Sequence, residues 1–525
     1  MTVQVHATSF KLKPYHALDS YKLGHPDQYP EGTERVYSNL TPRSDRLSGI
    51  PEDLTDHKLV WIGIQATIME YNALWQEEFF SKPLEEVLKN WRTRTPPFTG
   101  NPNPDVSRLT ALHELGYLPL HIKSLPEGSK VNMGVPVFTI VNTHDDFGWL
   151  TNSTETYLSN ESWKLPTVAT IANAYRRLLD SYAELTGTPA DFVDWQGHCF
   201  ADRGMSGMMD AAKACAGHAA SFLGSDSVSS VDWIEHFYGA AGSFVSGSVP
   251  ATEHAVMCLG EKQSEKETIR RLIQDVYPTG VVSVVSDTWD FWNVISVTAA
   301  ELKDVIMNRQ PNELGLAKTV FRPDSGDPVK VLTGYTKYEV EDEVELRKIL
   351  GNPPLTEAEI KGAVEVLWDI FGGTTTDKGF KLLDQHVGLI YGDSITLKRA
   401  QEILKRLADK GFASGNVVLG IGSYTYQYLT RDTFGMAVKA TYGVVEGVGR
   451  EIFKDPVTDT GKTKKSAKGL LRVEKEGDDF VLYDQQTANQ EDEGALLTVF
   501  LNGSQYNLTT WKEIRARLGA VTLNV

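Results

Sequence analysis

The chain has 525 residues, of which 41% are hydrophobic and 23% charged, a balance that allows a large core and excludes wholesale disorder. A formal net charge of -17 excludes a general nucleic-acid or membrane-surface binder, since both need surplus cationic surface. Three scattered cysteines, Cys199, Cys215 and Cys258, suit neither a disulfide framework nor a zinc site, and no stretch reads as an export signal or a spanning helix, so a reducing, cytoplasmic setting is expected.

Residues 1–155 mix short apolar runs with many aromatics and prolines and read as an α+β domain. Within them, residues 19–29 hold too much Gly and Pro for one regular element and should form a structured loop, whereas RVYSNL at 35–40 reads as a strand. Residues 59–79 have helical spacing, and residues 131–141 alternate as a strand does.

From 156 to 430 short buried strands alternate with polar loops and helices. VVSVVS at 281–286 runs into Asp287, residues 318–321 into the RPDSGD turn that carries Arg322 and Asp324, residues 387–391 into Gly392, Asp393 and Ser394, and residues 417–419 into Gly420, Ile421, Gly422 and Ser423. After Asp393, residues 396–410 put Leu397, Ala400, Ile403, Leu404 and Leu407 on one helical face, with Gly411 as a stop signal. Repeated β-loop-α units imply a parallel sheet, open or closed into a barrel, with ligands at the carboxyl ends of the strands. Residues 431–525 turn strand-like and polar again, with a basic run at 462–468 (KTKKSAK) and an acidic, turn-rich stretch at 474–494.

Three strand-end carboxylates, Asp287, Asp324 and Asp393, together with an arginine and a glycine-bearing loop suit a phosphorylated sugar. Carboxylates accept from ribose hydroxyls or hold Mg²⁺, arginine forks a phosphate, and backbone N–H groups at a glycine turn cradle another. QGHCFADRG at 196–204 sets the ring of Phe200 three residues from the cation of Arg203. SGSVPATEHAVM at 246–257 delivers Glu253 and His254 at the start of a helix, which presents an imidazole at a loop-to-helix junction. Each piece alone reads equally as a turn, a core ring or a capped helix.

DSYK at 19–22, HCFADRG at 198–204, GSDS at 224–227, SVPATEH at 248–254, VSVVSD at 282–287, RPDSG at 322–326, YGDS at 391–394, LTRD at 429–432 and FKDP at 453–456 occur in order along the chain. Together they resemble the nicotinamide phosphoribosyltransferases of the nicotinate/nicotinamide phosphoribosyltransferase family. The resemblance implies an irregular α/β barrel of the type II phosphoribosyltransferase kind, a second α+β domain built from both chain ends, and a homodimer with active sites at the subunit interface. It implies transfer of phosphoribosyl from phosphoribosyl pyrophosphate to nicotinamide in NAD salvage, with Mg²⁺ and with ATP as a co-substrate that phosphorylates His254.

By the same resemblance Phe200 and the partner's Tyr21 hold the pyridine ring, and Asp226 accepts from the carboxamide, with Ser283 and Arg322 in the same pocket. Arg203, Asp324, Gly392, Asp393, Gly420, Gly422 and Ser423 surround the ribose phosphate, and Arg43, Arg431, Lys439, Lys454 and Lys462 meet pyrophosphate or nucleotide phosphates. Asp287 or Glu253 fixes the tautomer of His254. No protein ligand is assigned to Mg²⁺, which is held mainly through pyrophosphate. The sequence departs from the family pattern at Cys199 and Ala201, where HDFG reads HCFA, and in the phosphate loop, which reads GIGSY. A nicotinate phosphoribosyltransferase and an inactive binding homologue are the competing readings. Asp226 argues against the first, and the joint presence of His254, Asp287, Asp324 and Asp393 argues against the second.

Overall fold

The computed structural model describes residues 10–392, 394–453 and 467–521. Six short strands, β1 Gly197–Phe200, β2 Gly224–Ser225, β3 Val282–Val285, β4 Thr319–Arg322, β5 Val387–Tyr391 and β6 Val417–Gly422, form a sheet in the order β2-β1-β6-β5-β4-β3. Every neighbouring pair is parallel. Parallel neighbours need crossover connections, and helices such as Met208–Ala219 and Leu397–Asp409 provide them. Enclosed on both faces, β3 and β5 are buried at every position, which is why their sequences do not alternate apolar with exposed polar residues.

The helix Leu397–Asp409 shows how local sequence sets these units. Thr396 caps it by accepting from the Arg399 amide, Leu397, Ala400, Ile403, Leu404 and Leu407 form its buried stripe, and Gly411 follows at a φ of 78°, where a side chain is disfavoured.

One irregular segment, residues 247–252, bridges both outer edges of the sheet. At β2, Ser225 N donates to Gly247 O at 3.0 Å and Gly247 N to Leu223 O at 2.9 Å. At β3, Ser283 N donates to Pro250 O at 2.8 Å, Thr252 N to Ser283 O at 2.9 Å, and Val285 N to Thr252 Oγ1 at 2.9 Å. Pro250 has no N–H to give, so the segment makes single bridges instead of a ladder, and the barrel closes irregularly.

The second domain is an antiparallel sheet drawn from both chain ends. Thr33–Thr41 lies between Ala437–Val445 and Phe138–Asn142, and Leu120–Ser124 lies between Phe138–Asn142 and Leu497–Leu501. The helix Trp511–Leu518 then returns to the barrel, where Arg515 Nη2 donates to Ala219 O at 2.9 Å and Val245 O at 2.5 Å.

Three expected elements differ. The run at 59–79 divides into a strand, Lys58–Trp61, and a helix, Ile64–Trp75, parted by Gly63 at a φ of 105°. Leu59 to Ile62 are all buried, and an unbroken apolar run satisfies helical and strand periods alike. Residues 131–141 hold two strands, Ser129–Asn132 and Phe138–Asn142, interrupted at Gly134 with φ 87°. Residues 19–29, expected as a structured loop, wind into a 3₁₀ turn, Ser20–Gly24, and a short helix, His25–Gln28, where Pro26 sits in the first turn and its missing N–H costs no bond. The strand-like reading beyond 430 holds in the hairpin Leu470–Glu476 with Asp479–Gln486. Among the described residues no helix is long and apolar enough to cross a membrane.

Candidate active site

The site collects at the carboxyl ends of the parallel strands. His254 opens the helix His254–Leu259 two residues after the barrel-closing segment, and Glu253 before it makes no capping bond. His254 Nε2 lies 3.0 Å from Asp287 Oδ1, at the end of β3. Asp287 Oδ2 accepts from the Asp324 amide at 3.0 Å and from Ser325 Oγ at 2.7 Å, both just past β4. The carboxylate is 5% exposed and the imidazole 49%, so a buried anion holds a ring open to ligand. Burial raises the Asp287 pKa, but the bonds from Ser325, the Asp324 amide and His254 outweigh it and hold the carboxyl below its ordinary range. Of the two carboxylates expected to orient His254, Asp287 makes the contact. With Nε2 donating to Asp287, the lone pair of the neutral ring resides on Nδ1.

A second group forms where β1 and β2 end. Asp226 Oδ1 lies 2.9 Å from His198 Nε2 and accepts from Ser248 Oγ at 2.5 Å. Burial raises the Asp226 pKa, and it is outweighed by hydrogen bonding and charge from His198, then Ser248 and Arg322, so the carboxyl stays below its ordinary range. His198 and Phe200, two apart on one strand, share a face, with ring centroids 4.6 Å apart and tilted 42°. Ser283 Oγ is buried on β3 and has no hydrogen-bond partner among the described residues. Arg322 Nη2 donates to Thr252 O at 2.8 Å, and its Nε lies 3.4 Å from Asp324 Oδ1.

Glycines keep the floor of this site low. A Cβ on Gly392 would lie 2.6 Å from Asp324 Oδ1, and one on Gly420 would lie 2.7 Å from Tyr391 O and Phe200 Cδ2. Arg203 follows β1 in the turn Asp202–Gly204, and Ser423 follows β6; because β1 and β6 pair, the two turns are neighbours, with Ser423 Oγ against Gly204. A cavity of about 350 Å³ opens beside Asp287 and Ser325, bordered by Trp289, Trp292 and Lys330 among others.

Farther out, Arg43 N donates to Phe434 O at 2.9 Å and Arg43 Nε to Gly435 O at 2.7 Å. Arg431 lies in the turn Arg431–Thr433 and Lys439 on the strand that follows, so three of the five expected phosphate-binding cations share one corner. Asp393, Lys454 and Lys462 lie outside the described residues. Tyr21 stands apart: it is 62% exposed, its ring pairs with His25 at 5.3 Å, and among the described residues no ring contact joins it to Phe200. Sequence reasoning missed His198, Ser248 and Ser325. His198 was legible as the period-two neighbour of Phe200, whereas Ser248 and Ser325 meet their carboxylates only through the fold.

Comparison with known proteins gives consistent similarities. The model of the nicotinate phosphoribosyltransferase family matches residues 195–503, and that of the nicotinamide phosphoribosyltransferase N-terminal domain matches residues 15–76. A nicotinamide phosphoribosyltransferase of Acinetobacter baylyi is 54% identical over 511 residues, covering 97% of this chain and 98% of its own. One from Mycoplasma pneumoniae is 30% identical over 485 residues, covering 87% of this chain and 95% of its own. The solved nicotinate-nucleotide pyrophosphorylase of Pyrococcus furiosus overlays with a TM-score of 0.52 at 15% identity, with 100% of both chains covered, a likeness of fold.

Proposed function

The chain belongs to the nicotinate/nicotinamide phosphoribosyltransferase family of enzymes, and from that premise we propose that it transfers phosphoribosyl from phosphoribosyl pyrophosphate to nicotinamide, giving nicotinamide mononucleotide and pyrophosphate for NAD salvage. The observation that carries this reading is Asp226, an ionised carboxylate 45% exposed and bonded to His198, whose ring packs on Phe200. It accepts from the carboxamide NH₂ of nicotinamide and repels the carboxylate of nicotinate. Ser283 Oγ, buried and unpartnered, is a donor available to the carboxamide oxygen.

In the transfer the ribose C1–oxygen bond to pyrophosphate breaks and a C1–nitrogen bond to the pyridine forms, using the ring nitrogen's lone pair. No base is required, because that nitrogen is unprotonated near neutral pH. The ring gains positive charge as it reacts, so its stacking on Phe200 strengthens toward the transition state. Negative charge grows on the departing pyrophosphate, and Arg203, Arg43, Arg431 and Lys439 are the cations we assign to it and to the ribose phosphate. Among the described residues no three His, Cys, Asp or Glu side chains converge on a metal site, and Asp287 has both oxygens engaged. We assign Mg²⁺ to pyrophosphate and water; when bound it would neutralise the leaving group.

We assign His254 to energy coupling. Its Nδ1 lone pair attacks the terminal phosphorus of ATP, an N–P bond forms, ADP departs, and Asp287 holds the Nε2 proton; water later cleaves the N–P bond. The 49% exposure of His254 and the cavity beside Asp287 support this role.

The test is a product assay with phosphoribosyl pyrophosphate and Mg²⁺, comparing nicotinamide with nicotinate, each with and without ATP. Nicotinamide is expected to be preferred, ATP to raise its conversion, and His254→Ala to lose ATP hydrolysis while keeping slow transfer. Equal or better use of nicotinate overturns the substrate, and wild-type ATP turnover in His254→Ala overturns the phosphohistidine.

A further inference from the structure

We infer that His198 and Ser248 are positioning residues that fix Asp226 with one oxygen turned to the ligand, and that this fixing sets the preference for an amide over an acid. The inference rests on the reading of Asp226 given above. Both donors end on the same atom, Oδ1, at 2.9 Å from His198 Nε2 and 2.5 Å from Ser248 Oγ, and among the described residues no hydrogen bond ends on Oδ2. A carboxylate held this way cannot rotate about its Cβ–Cγ bond without losing both bonds. Oδ2 is then the acceptor left for an incoming N–H.

The two donors are themselves held from opposite sides. His198, 8% exposed, packs against the Phe200 ring and passes over Gly224, where a Cβ would lie 2.8 Å from its Nδ1. A side chain at 224 would displace the imidazole, so glycine there is a condition of the contact. Ser248 belongs to the barrel-closing segment, one residue after Gly247, which is bonded to Leu223 O and to Ser225 N. Asp226, just past β2, is therefore clamped between β1 and the segment that closes the barrel.

A fixed acceptor acts on both candidate ligands. An amide gains a hydrogen bond without the cost of ordering the carboxylate. A carboxylate ligand meets a negative oxygen that has no freedom to turn away. Loosening the clamp weakens both effects, so the preference falls further than affinity for the amide alone.

The experiment measures KM and kcat for nicotinamide, and Ki for nicotinate as a competitor, in the full-length wild type, Ser248→Ala, His198→Leu, His198→Gln and Asp226→Asn. Ser248 is exposed, so its alanine variant is the one least prone to misfolding. We expect Ser248→Ala and His198→Leu to raise KM about tenfold each, as loss of a hydrogen bond to a charged group does, with a smaller change in kcat and a fall in the ratio of nicotinate Ki to nicotinamide KM. His198→Gln, which returns an N–H donor, recovers most of that ratio. A wild-type ratio in folded Ser248→Ala and His198→Leu overturns the clamp, as does equal loss in His198→Leu and His198→Gln. If Asp226→Asn lowers the ratio while the clamp variants do not, the clamp alone is wrong. If Asp226→Asn also leaves it unchanged, the reading of Asp226 itself is overturned.

Discussion

His218, on the helix Met208–Ala219, stacks on the Phe222 ring with centroids 4.9 Å apart. It is fully buried, with Nδ1 2.8 Å from the Tyr426 hydroxyl and Nε2 3.2 Å from Gly197 O, and burial, reinforced by the charge of His198, pulls its pKa down to about 3. The unfolded chain takes up this proton near pH 6.5, the folded chain only near 3, so folding is opposed by proton binding below 6.5. The His218 share of stability is intact above pH 6.5 and is lost as pH falls from there toward 3, at roughly 1 kcal/mol per pH unit. Urea midpoints for the wild type and His218→Gln between pH 7 and 4 check this: the variant should show the shallower decline. Single residues of this kind were the least legible in the sequence. Asp287 and Glu253 were equal candidates to orient His254 because the contact joins positions 33 apart, and the choice was made by where β3 ends.

The strands meet the reacting groups through their backbones. At Gly420 on β6 an added Cβ would lie 2.7 Å from Tyr391 O, 2.8 Å from Gly392 Cα and 2.7 Å from Phe200 Cδ2, so both the backbone at the end of β5 and the aromatic ring must shift. Gly420→Ala should therefore raise KM for nicotinamide about tenfold and lower stability by about 1–3 kcal/mol. Gly422→Ala, whose nearest atom is Phe200 O at 3.8 Å, should raise that KM far less and keep the wild-type stability; steady-state kinetics and thermal melts of both variants check the contrast. Elements with one period or one composition were readable: the β-branched run of β3 and the apolar stripe of Leu397–Asp409 emerged as expected. The strand Lys58–Trp61 did not, because an unbroken apolar run fits both periods. Residues 247–252 were opaque for another reason: single bridges around Pro250 leave no periodic trace, although they close the barrel and lead into His254.

At the level of the whole molecule we propose that Tyr21, which is 62% exposed and pairs with no ring but that of His25 among the described residues, serves a partner's site in a homodimer. Mixing the dissociated Tyr21→Ala and Phe200→Ala variants tests this directly. If each site takes one residue from each chain, a mixed dimer has one intact site, and random assortment should restore about a quarter of wild-type activity. No recovery would place Tyr21 outside the partner's site. The joining of the two chain ends in one sheet was legible only through the family resemblance, since no local pattern pairs strands so far apart in sequence. That pairing also bears on synthesis. Asn39 bonds to Lys439 across 400 residues, so one edge of the strand Thr33–Thr41 stays open until nearly the whole chain has left the ribosome, some tens of seconds at roughly 5–20 residues per second. The nascent chain is thus an exposed strand edge awaiting a partner, and for that interval a neighbouring nascent copy, or a chaperone that shields the edge, competes for the place of Ala437–Val445.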